Sequence, residues 1–467
     1  MRLSELVDGP GADVVVICDG VETTRAELEQ RAGAVEHAVR ERDLGGRAIG
    51  VLLPGTAAAI AAWVGIWRAG ATFVPLNPRA PADEIGRVVD GVGIAAVLTA
   101  VDPVAFAPGA DEPRRADPAE AILQFTSGTT GRPKAVPLRH DTVLELLDSV
   151  IGSLRGGRDG GARMPNLVPM SLALWAGIYQ VLFAFRLGVP VVLMDRFEPR
   201  EFARLVAQYG IKSSVLPPAA LVMLANDEAI TTLEPLRYVR SVSAPLSPAH
   251  ARRFHERFGV AILNGYGQTE LGGEAIGWTA HDWKEFGATK LGAVGRPHAA
   301  ISVRVRSDDG SFAGTGEIGE IELHSTARLA SEDAALEGRV TDDGWLRTGD
   351  LGRVDAEGFV WIDGRVSAMV NRGGLKVFPD EVEEILRGHG AVVDVAVAGV
   401  PDDRLGEVPW AFVVASEPVA AAALCAFARD RLAPYKVPAG VTFVDELPRN
   451  EAGKVLRQEL VALVEVD

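Results

Sequence analysis

The sequence predicts an α/β protein in two parts. A large N-terminal domain holds two βαβ-type subdomains plus a small β subdomain, and a smaller α+β C-terminal domain follows. Three observations carry this. Short apolar runs alternate with amphipathic helical stretches through most of the chain, the pattern of βαβ units on a largely parallel sheet. From about Gly292 to Leu323 the pattern shifts to short alternating strands with turns at Asp308–Gly310 and Gly314–Gly319. The length of 467 residues, 48% of them apolar, exceeds what one hydrophobic core usually serves.

In order, Val14 to Cys18 reads as a strand, Thr24 to Arg40 as a helix, Ile49 to Leu53 as a buried strand, and Ala57 to Arg68 as a helix stopped near Gly70. Thr72 to Leu76, a helix over Ala82 to Val89, and Ala95 to Leu98 continue the rhythm. Asp141 is placed to cap a helix whose apolar face is Val143, Leu144, Leu147, Val150, Ile151 and Leu154, and Arg155 to Ala162 reads as a surface loop. A second series follows, with strands at Leu167 to Met170 and Val189 to Met194 and a helix from Pro199 to Tyr209 ended at Gly210. Ser247 with Pro248 makes a helix start, Gly259 a stop, and Val260 to Leu263 the next strand. A turn-rich stretch runs to Arg365. Beyond it lie an acidic helix after Pro379, strands at Val392 to Val400 and Ala411 to Val414, a helix over Ala420 to Arg431, and a basic tail.

Composition excludes several classes. No stretch reaches the roughly 20 apolar residues of a membrane span, and the opening M-R-L-S-E-L-V-D-G-P-G carries no apolar signal region. No membrane insertion and a cytoplasmic location are therefore expected. Cys18 and Cys425, the only cysteines, fit a reducing compartment and make no disulfide framework. The net charge of −16 argues against nucleic-acid binding, so an anionic ligand must be held by local devices.

One such device is Q-F-T-S-G-T-T-G-R-P-K-A-V, Gln124 to Val136. Hydroxyls of Thr126, Ser127, Thr129 and Thr130 alternate with Gly128 and Gly131, and Arg132 and Lys134 follow. Glycines let backbone N–H groups turn toward an anion, hydroxyls donate further bonds, and cations offset charge. Lys134 is followed by Ala135 and an extended run, so this is not the strand-to-helix Walker loop. Alone, the stretch would also suit a Ser/Thr/Gly linker.

Four more stretches remove that ambiguity: N-G-Y-G-Q-T-E at Asn264 to Glu270, W-L-R-T-G-D at Trp345 to Asp350, G-R at Gly364 with N-R-G-G-L-K-V-F-P up to Pro379, and L-P-R-N-E-A-G-K at Leu447 to Lys454. With these motifs in this order over nearly its whole length, the chain resembles the adenylate-forming superfamily of acyl-CoA synthetases, nonribosomal peptide synthetase adenylation domains and luciferases, closest to the acyl-CoA synthetases. The resemblance implies that a carboxylate attacks the α-phosphate of ATP, and that the acyl group then passes from AMP to a thiol, usually that of coenzyme A. Mg²⁺, loop donors and a lysine would lessen the repulsion between the two anions.

Carried onto this sequence, the resemblance implies that Thr126, Ser127, Gly128, Thr129, Thr130, Gly131 and Lys134 cradle the β- and γ-phosphates. Ser243, Ala244 and Pro245 would flank the nucleotide, Tyr266 would stack near adenine, and Thr269 would touch the α-phosphate. Glu270 would hold Mg²⁺. Asp350 would accept both ribose hydroxyls with help from Arg365. Lys454 would bridge the substrate carboxylate and the α-phosphate from a mobile C-terminal lid. The implied domains are 1–366 and 367–467, pivoting at Ser367, with Gly373 and Gly374 lining a pantetheine tunnel. Arg132 and Arg372 read as solvated surface.

Departures from the family pattern bear on the first half-reaction. Ser367 and Ala368 replace charged hinge residues, Ala135 stands where Gly usually follows the loop lysine, and Val242-Ser243-Ala244 replaces Gly-Gly-Ala. The acyl pocket is expected to draw on Leu174, Trp175, Gly177, Asn264 and Gly265, a wall with no cation, which favours an apolar monocarboxylic acid. Besides an acid:CoA ligase, the sequence admits an enzyme performing mainly thioesterification, a stand-alone enzyme loading a carrier-protein phosphopantetheine, or a catalytically silent nucleotide-binding protein. Oligomeric state is left open, a homodimer among the options.

Overall fold

A computed structural model describes residues 2–126, 134–154, 164–268, 273–299, 301–307, 309–325, 338–449 and 454–464. Two sheets dominate the first third. In the larger, Val104–Pro108, Ala96–Val101, Ala48–Val51, Thr72–Pro75, Glu120–Thr126 and Lys134–Arg139 lie side by side in that order. The inner four run parallel and both edges are antiparallel, as short βαβ crossovers closed by hairpins require. Val21–Thr24, Val14–Cys18, Val191–Leu193 and Asn166–Val168 make the second.

The helix Ala57–Arg68 is apolar nearly all round because it is buried nearly all round. Trp63 and Trp67 pack on Phe73 of the sheet, and Trp67 Nε1 donates to the Ala121 carbonyl at 2.7 Å. Gly65 lets it lie against Arg25–Glu41, since a Cβ there would meet the Ala32 carbonyl oxygen at 2.5 Å. This core outlasts any single contact, each large buried side chain contributing about 1.5–3 kcal/mol.

A third sheet carries the segments that matter most. Ser213–Leu216, Tyr238–Ser241 and Ala261–Gln268 run parallel, then Gly273–Gly277 and Arg296–Pro297 pair antiparallel. The small β subdomain is an antiparallel sheet of Ile301–Arg306, Gly319–Ser325, Leu346–Val354 and Val360–Arg365. The turn-rich stretch before Arg365 therefore supplies two of its strands. Asp141 also departs from expectation: the helix begins at His140, so Asp141 sits in its first turn and accepts from Thr142 N at 2.8 Å.

From Val370 onward the chain builds a separate sheet of Leu375–Val377, Val370–Arg372, Gly406–Ala415 and Val392–Asp402, with Gly440–Phe443 joined to Gly406–Ala415. Its core is its own, centred on Val382, Leu386, Val395, Val397, Val413 and Leu424. Glu383, buried beneath the helix Pro379–Arg387, accepts from Val397 N at 2.8 Å and from Arg387 and Arg457. The two parts touch where Glu384 accepts from Ser247 Oγ at 2.6 Å and from Ala249 N at 3.2 Å, capping the helix Pro248–Phe258 from across the interface.

Candidate active site

Asp350 is a carboxylate almost without exposure, 2% of its surface. The strand Leu346–Val354 pairs it directly with Arg365, and Gly349 at φ +72° supplies the backbone turn just before it. Arg365 Nε lies 2.8 Å from Oδ1. The Tyr266 hydroxyl donates to Oδ2 at 2.5 Å, and Gln268 Nε2 donates to the same oxygen at 2.9 Å. Gln268 also reaches the Thr348 carbonyl at 2.9 Å, and its own oxygen accepts from Arg339 Nη2 at 2.6 Å. Thr348 Oγ1 accepts from Asp350 N at 3.1 Å. Side chains from two separated stretches thus hold one carboxylate, and Arg339 braces Gln268 behind it.

The electrostatics follow from burial. Loss of solvent, then the adjacent Asp350 charge, push the Tyr266 phenol well above its ordinary value, so it stays a neutral donor. The site is an acceptor pair with donors already on both oxygens, suited to a ligand bearing two adjacent hydroxyls. Asp380 of the C-terminal region stands close by, near Gly364, and burial, then the Glu383 charge, raise its carboxyl.

Tyr266, Asp350 and Arg365 are thereby brought together, with Tyr266 held by the carboxylate through its hydroxyl. Ser243 stands at φ +77°, one of three non-glycine residues with positive φ among those described. It holds a backbone geometry that glycine would adopt without strain. Half-buried Ala244 and exposed Pro245 follow it. Thr126 and Lys134 are backbone register partners at the end of the antiparallel pair Glu120–Thr126 and Lys134–Arg139. Ser127, Gly128, Thr129, Thr130 and Gly131 lie outside the described residues, as do Arg132, Thr269 and Glu270.

Leu174 precedes the helix Trp175–Leu187, and Gly177 lets that helix approach the Ser171 carbonyl, which a Cβ would meet at 2.2 Å. Asn264 is buried and its amide donates to the Ala293 carbonyl at 3.4 Å. Gly265 faces Gly277 across the sheet, with the Glu274 carboxylate lying over both. Arg240 and His298 both pair with that carboxylate. In the C-terminal part, Gly373 and Gly374 form the turn between Val370–Arg372 and Leu375–Val377 at φ +59° and +90°. Ser367 is exposed in the short turn Val366–Ala368, and Lys454 is exposed beside the Arg449–Val455 bridge. Arg372 is corrected: it donates to the Tyr435 carbonyl at 2.8 Å and braces the domain.

Sequence reasoning missed Gln268, Arg339, Thr348 and Glu274. Gln268 carried a signal, standing two residues after Tyr266 on one strand and hence on the same face. Arg339 reaches Gln268 from 71 positions along the chain, a distance that periodicity cannot bridge.

Comparison with known proteins places the chain in a family. A model described as "AMP-binding enzyme" matches residues 4–119 and 102–329, and one described as "AMP-binding enzyme C-terminal domain" matches 381–454. A long-chain-fatty-acid–CoA ligase of Bacillus subtilis is 32% identical over 73% of this chain. The match spans 61% of that relative's length, less than two thirds of it. A fatty acid–[acyl-carrier-protein] ligase of Streptomyces coeruleorubidus is 28% identical over 95% of this chain and 92% of its own. Among solved structures, the o-succinylbenzoate CoA synthetase of Bacillus subtilis with its acyl-adenylate intermediate is 26% identical, at a TM-score of 0.84 over 98% of this chain and 97% of the other. No described helix is long and apolar enough to cross a membrane. The chain belongs to the AMP-binding enzyme family, the adenylate-forming enzymes, with their large N-terminal and small C-terminal domains.

Proposed function

We propose that this enzyme is an acid:CoA ligase, which activates a carboxylic acid as its acyl-adenylate with ATP and hands the acyl group to the thiol of coenzyme A. The Asp350 cluster carries the reading. A buried carboxylate accepts but cannot donate, so it suits the paired hydroxyls of a ribose, and Tyr266, Gln268 and Arg365 hold both of its oxygens in position. Oδ2 already receives two donors, so a ribose hydroxyl there replaces one of them.

The remaining roles rest on the motif match. Thr126, Ser127, Gly128, Thr129, Thr130, Gly131 and Lys134 hold the outgoing pyrophosphate, and Thr269 touches the α-phosphate. Ser243, Ala244 and Pro245 flank the adenine. Lys454 brings positive charge to the reacting carboxylate and phosphate. The domains divide at 366/367, Ser367 is the pivot, and Gly373 and Gly374 border the thiol's path. Mg²⁺, when bound, would supply charge neutralisation at Glu270. Among the described residues no group of three His, Cys, Asp or Glu is arranged for a metal.

Purified protein tested for ATP–pyrophosphate exchange over a panel of acids, then for AMP release with free CoA or with a holo carrier protein, decides the matter. Exchange together with acyl-CoA formation supports the ligase. A preference for the holo carrier, the acceptor named for the Streptomyces relative, moves the function to carrier loading. Thioester formation from a supplied acyl-adenylate without exchange leaves a thioesterification enzyme, and absence of both leaves a silent nucleotide-binding protein. In Lys454→Ala, exchange is lost and thiol transfer from supplied acyl-adenylate persists; equal loss of both contradicts the lysine's role.

A further inference from the structure

We propose that the acyl pocket ends on a hydrogen-bonding wall made by Glu274 and Tyr179, and that the natural acid carries a hydroxyl group remote from the carboxylate being activated. This deepens the ligase reading and rests on it. The residues belong to the two segments already expected to form the pocket. Tyr179 lies on the helix Trp175–Leu187, directly after Leu174 and containing Gly177. Glu274 lies on Gly273–Gly277, paired with the strand that carries Asn264 and Gly265.

The glycine pair shows that the carboxylate is built into place. A Cβ on Gly265 would come within 2.2 Å of Glu274 Oε2, and one on Gly277 within 2.1 Å of Oε1. Oε1 is occupied, by Arg240 Nη1 and by His298 Nε2 at 2.9 Å. Arg240 Nη2 is turned to the Trp278 carbonyl at 3.2 Å. Oε2 has no donor among the described residues, and it is not one of the polar atoms sealed from solvent without a partner. One oxygen of a largely buried carboxylate is left for something else.

Tyr179 is the second group, on the helix that carries Gly177. Its ring lies edge-on to Trp175 at 5.7 Å and stacks near Phe183 at 6.3 Å. Burial, and then the Glu274 charge, hold its proton firmly, so it presents a neutral O–H. That hydroxyl makes no hydrogen bond to any described residue and is likewise not sealed from solvent.

An incoming hydroxyl satisfies both groups, donating to Oε2 and accepting from Tyr179. A methyl end leaves both unpaired, which a site built for hydrogen bonding penalises strongly. A second carboxylate meets the Glu274 charge, while Arg240 and His298 are already committed to Oε1.

The test uses the full chain and matched acids: benzoate against 3- and 4-hydroxybenzoate, and hexanoate against 6-hydroxyhexanoate. Pyrophosphate exchange and calorimetric binding are both read. The better hydroxylated acid should exceed its parent by at least about tenfold in kcat/KM and in affinity. That ratio should fall toward one in Tyr179→Phe and in Glu274→Gln, with thermal melting confirming that each variant is folded. Because a ratio is read, general damage cancels, and the isosteric Tyr179→Phe keeps the test alive should Glu274→Gln not fold. Equal handling of parent and hydroxylated acids overturns the proposal, as does preference for a dicarboxylate such as isophthalate, or equal loss for both members in the variants. Absent exchange with preserved calorimetric discrimination would count against the ligase reading and leave the wall standing.

Discussion

Asp350 and Glu274 are two carboxylates set against opposite faces of one strand, Ala261–Gln268, and they are provisioned differently. Tyr266 and Gln268 point to one face and reach Asp350; Gly265, with its inverted direction, opens the other to Glu274. Asp350 receives donors on both oxygens and one cation, Arg365. Glu274 concentrates Arg240 and His298 on a single oxygen. One carboxylate is immobilised by donors on both of its oxygens. The other is electrically balanced yet keeps an acceptor in reserve.

Substitutions can break or sharpen that contrast. Asp350→Asn turns an acceptor into a donor facing Tyr266 and Gln268, and should lower pyrophosphate exchange by at least about a hundredfold, the loss of roughly two charge-assisted hydrogen bonds. A loss under tenfold would remove Asp350 from nucleotide binding. Glu274→Ala acts mainly on the fold, since it strands Arg240 beside two glycines, and should cost about 3 kcal/mol in denaturant unfolding.

That cost has a pH signature. Burial works to raise the Glu274 carboxyl, but Arg240 and His298 outweigh it, leaving it below its ordinary value. The pair's contribution is therefore complete above the unfolded value of about 4.3 and lost as pH falls through the lower folded value. The stability gap between wild type and Glu274→Ala should narrow below about pH 4; a constant gap would mean that packing, not charge, is at stake.

Smaller effects test the supports. Gln268→Leu cuts the link from Arg339 to Asp350 and should raise the KM for ATP about fivefold, the worth of one hydrogen bond of ~1 kcal/mol, with an unchanged KM arguing that Tyr266 and Arg365 suffice. Ser243→Gly should relieve left-handed strain and stabilise the protein by about 1 kcal/mol, visible as a higher melting temperature. A lower one would show that the Ser243 side chain makes a compensating contact.

Much of this architecture was legible where local chemistry alone decides it. The helices Ala57–Arg68 and Pro199–Tyr209 were read to the residue, because an uninterrupted apolar run marks one, and Pro199 and Gly210 fix both ends of the other. Leu346–Val354 and Val360–Arg365 were hidden because glycines and aspartates suited to turns lie inside them, accommodated by a bulge between Leu351 and Gly352. Asp350, Tyr266 and Arg365 were readable from their motifs, but the supports behind them were not. Arg339 and Gln268 meet only through folding, and Glu274 looks like any surface acid until two glycines fold against it. Arg372 misled for the same reason, its carbonyl partners lying more than sixty positions away.

The bond from Glu384 to the start of the helix Pro248–Phe258 has a consequence for observation. The Ala249 amide has two acceptors here, Ser247 Oγ at 3.2 Å from its own turn and Glu384 Oε1 at 3.2 Å from the C-terminal domain. Any departure of that domain takes away the second and loosens the first, since Glu384 also holds the Ser247 hydroxyl. The hydrogen-exchange rate of one backbone amide thus becomes a gauge of where a whole domain stands, readable without an attached probe and without turnover.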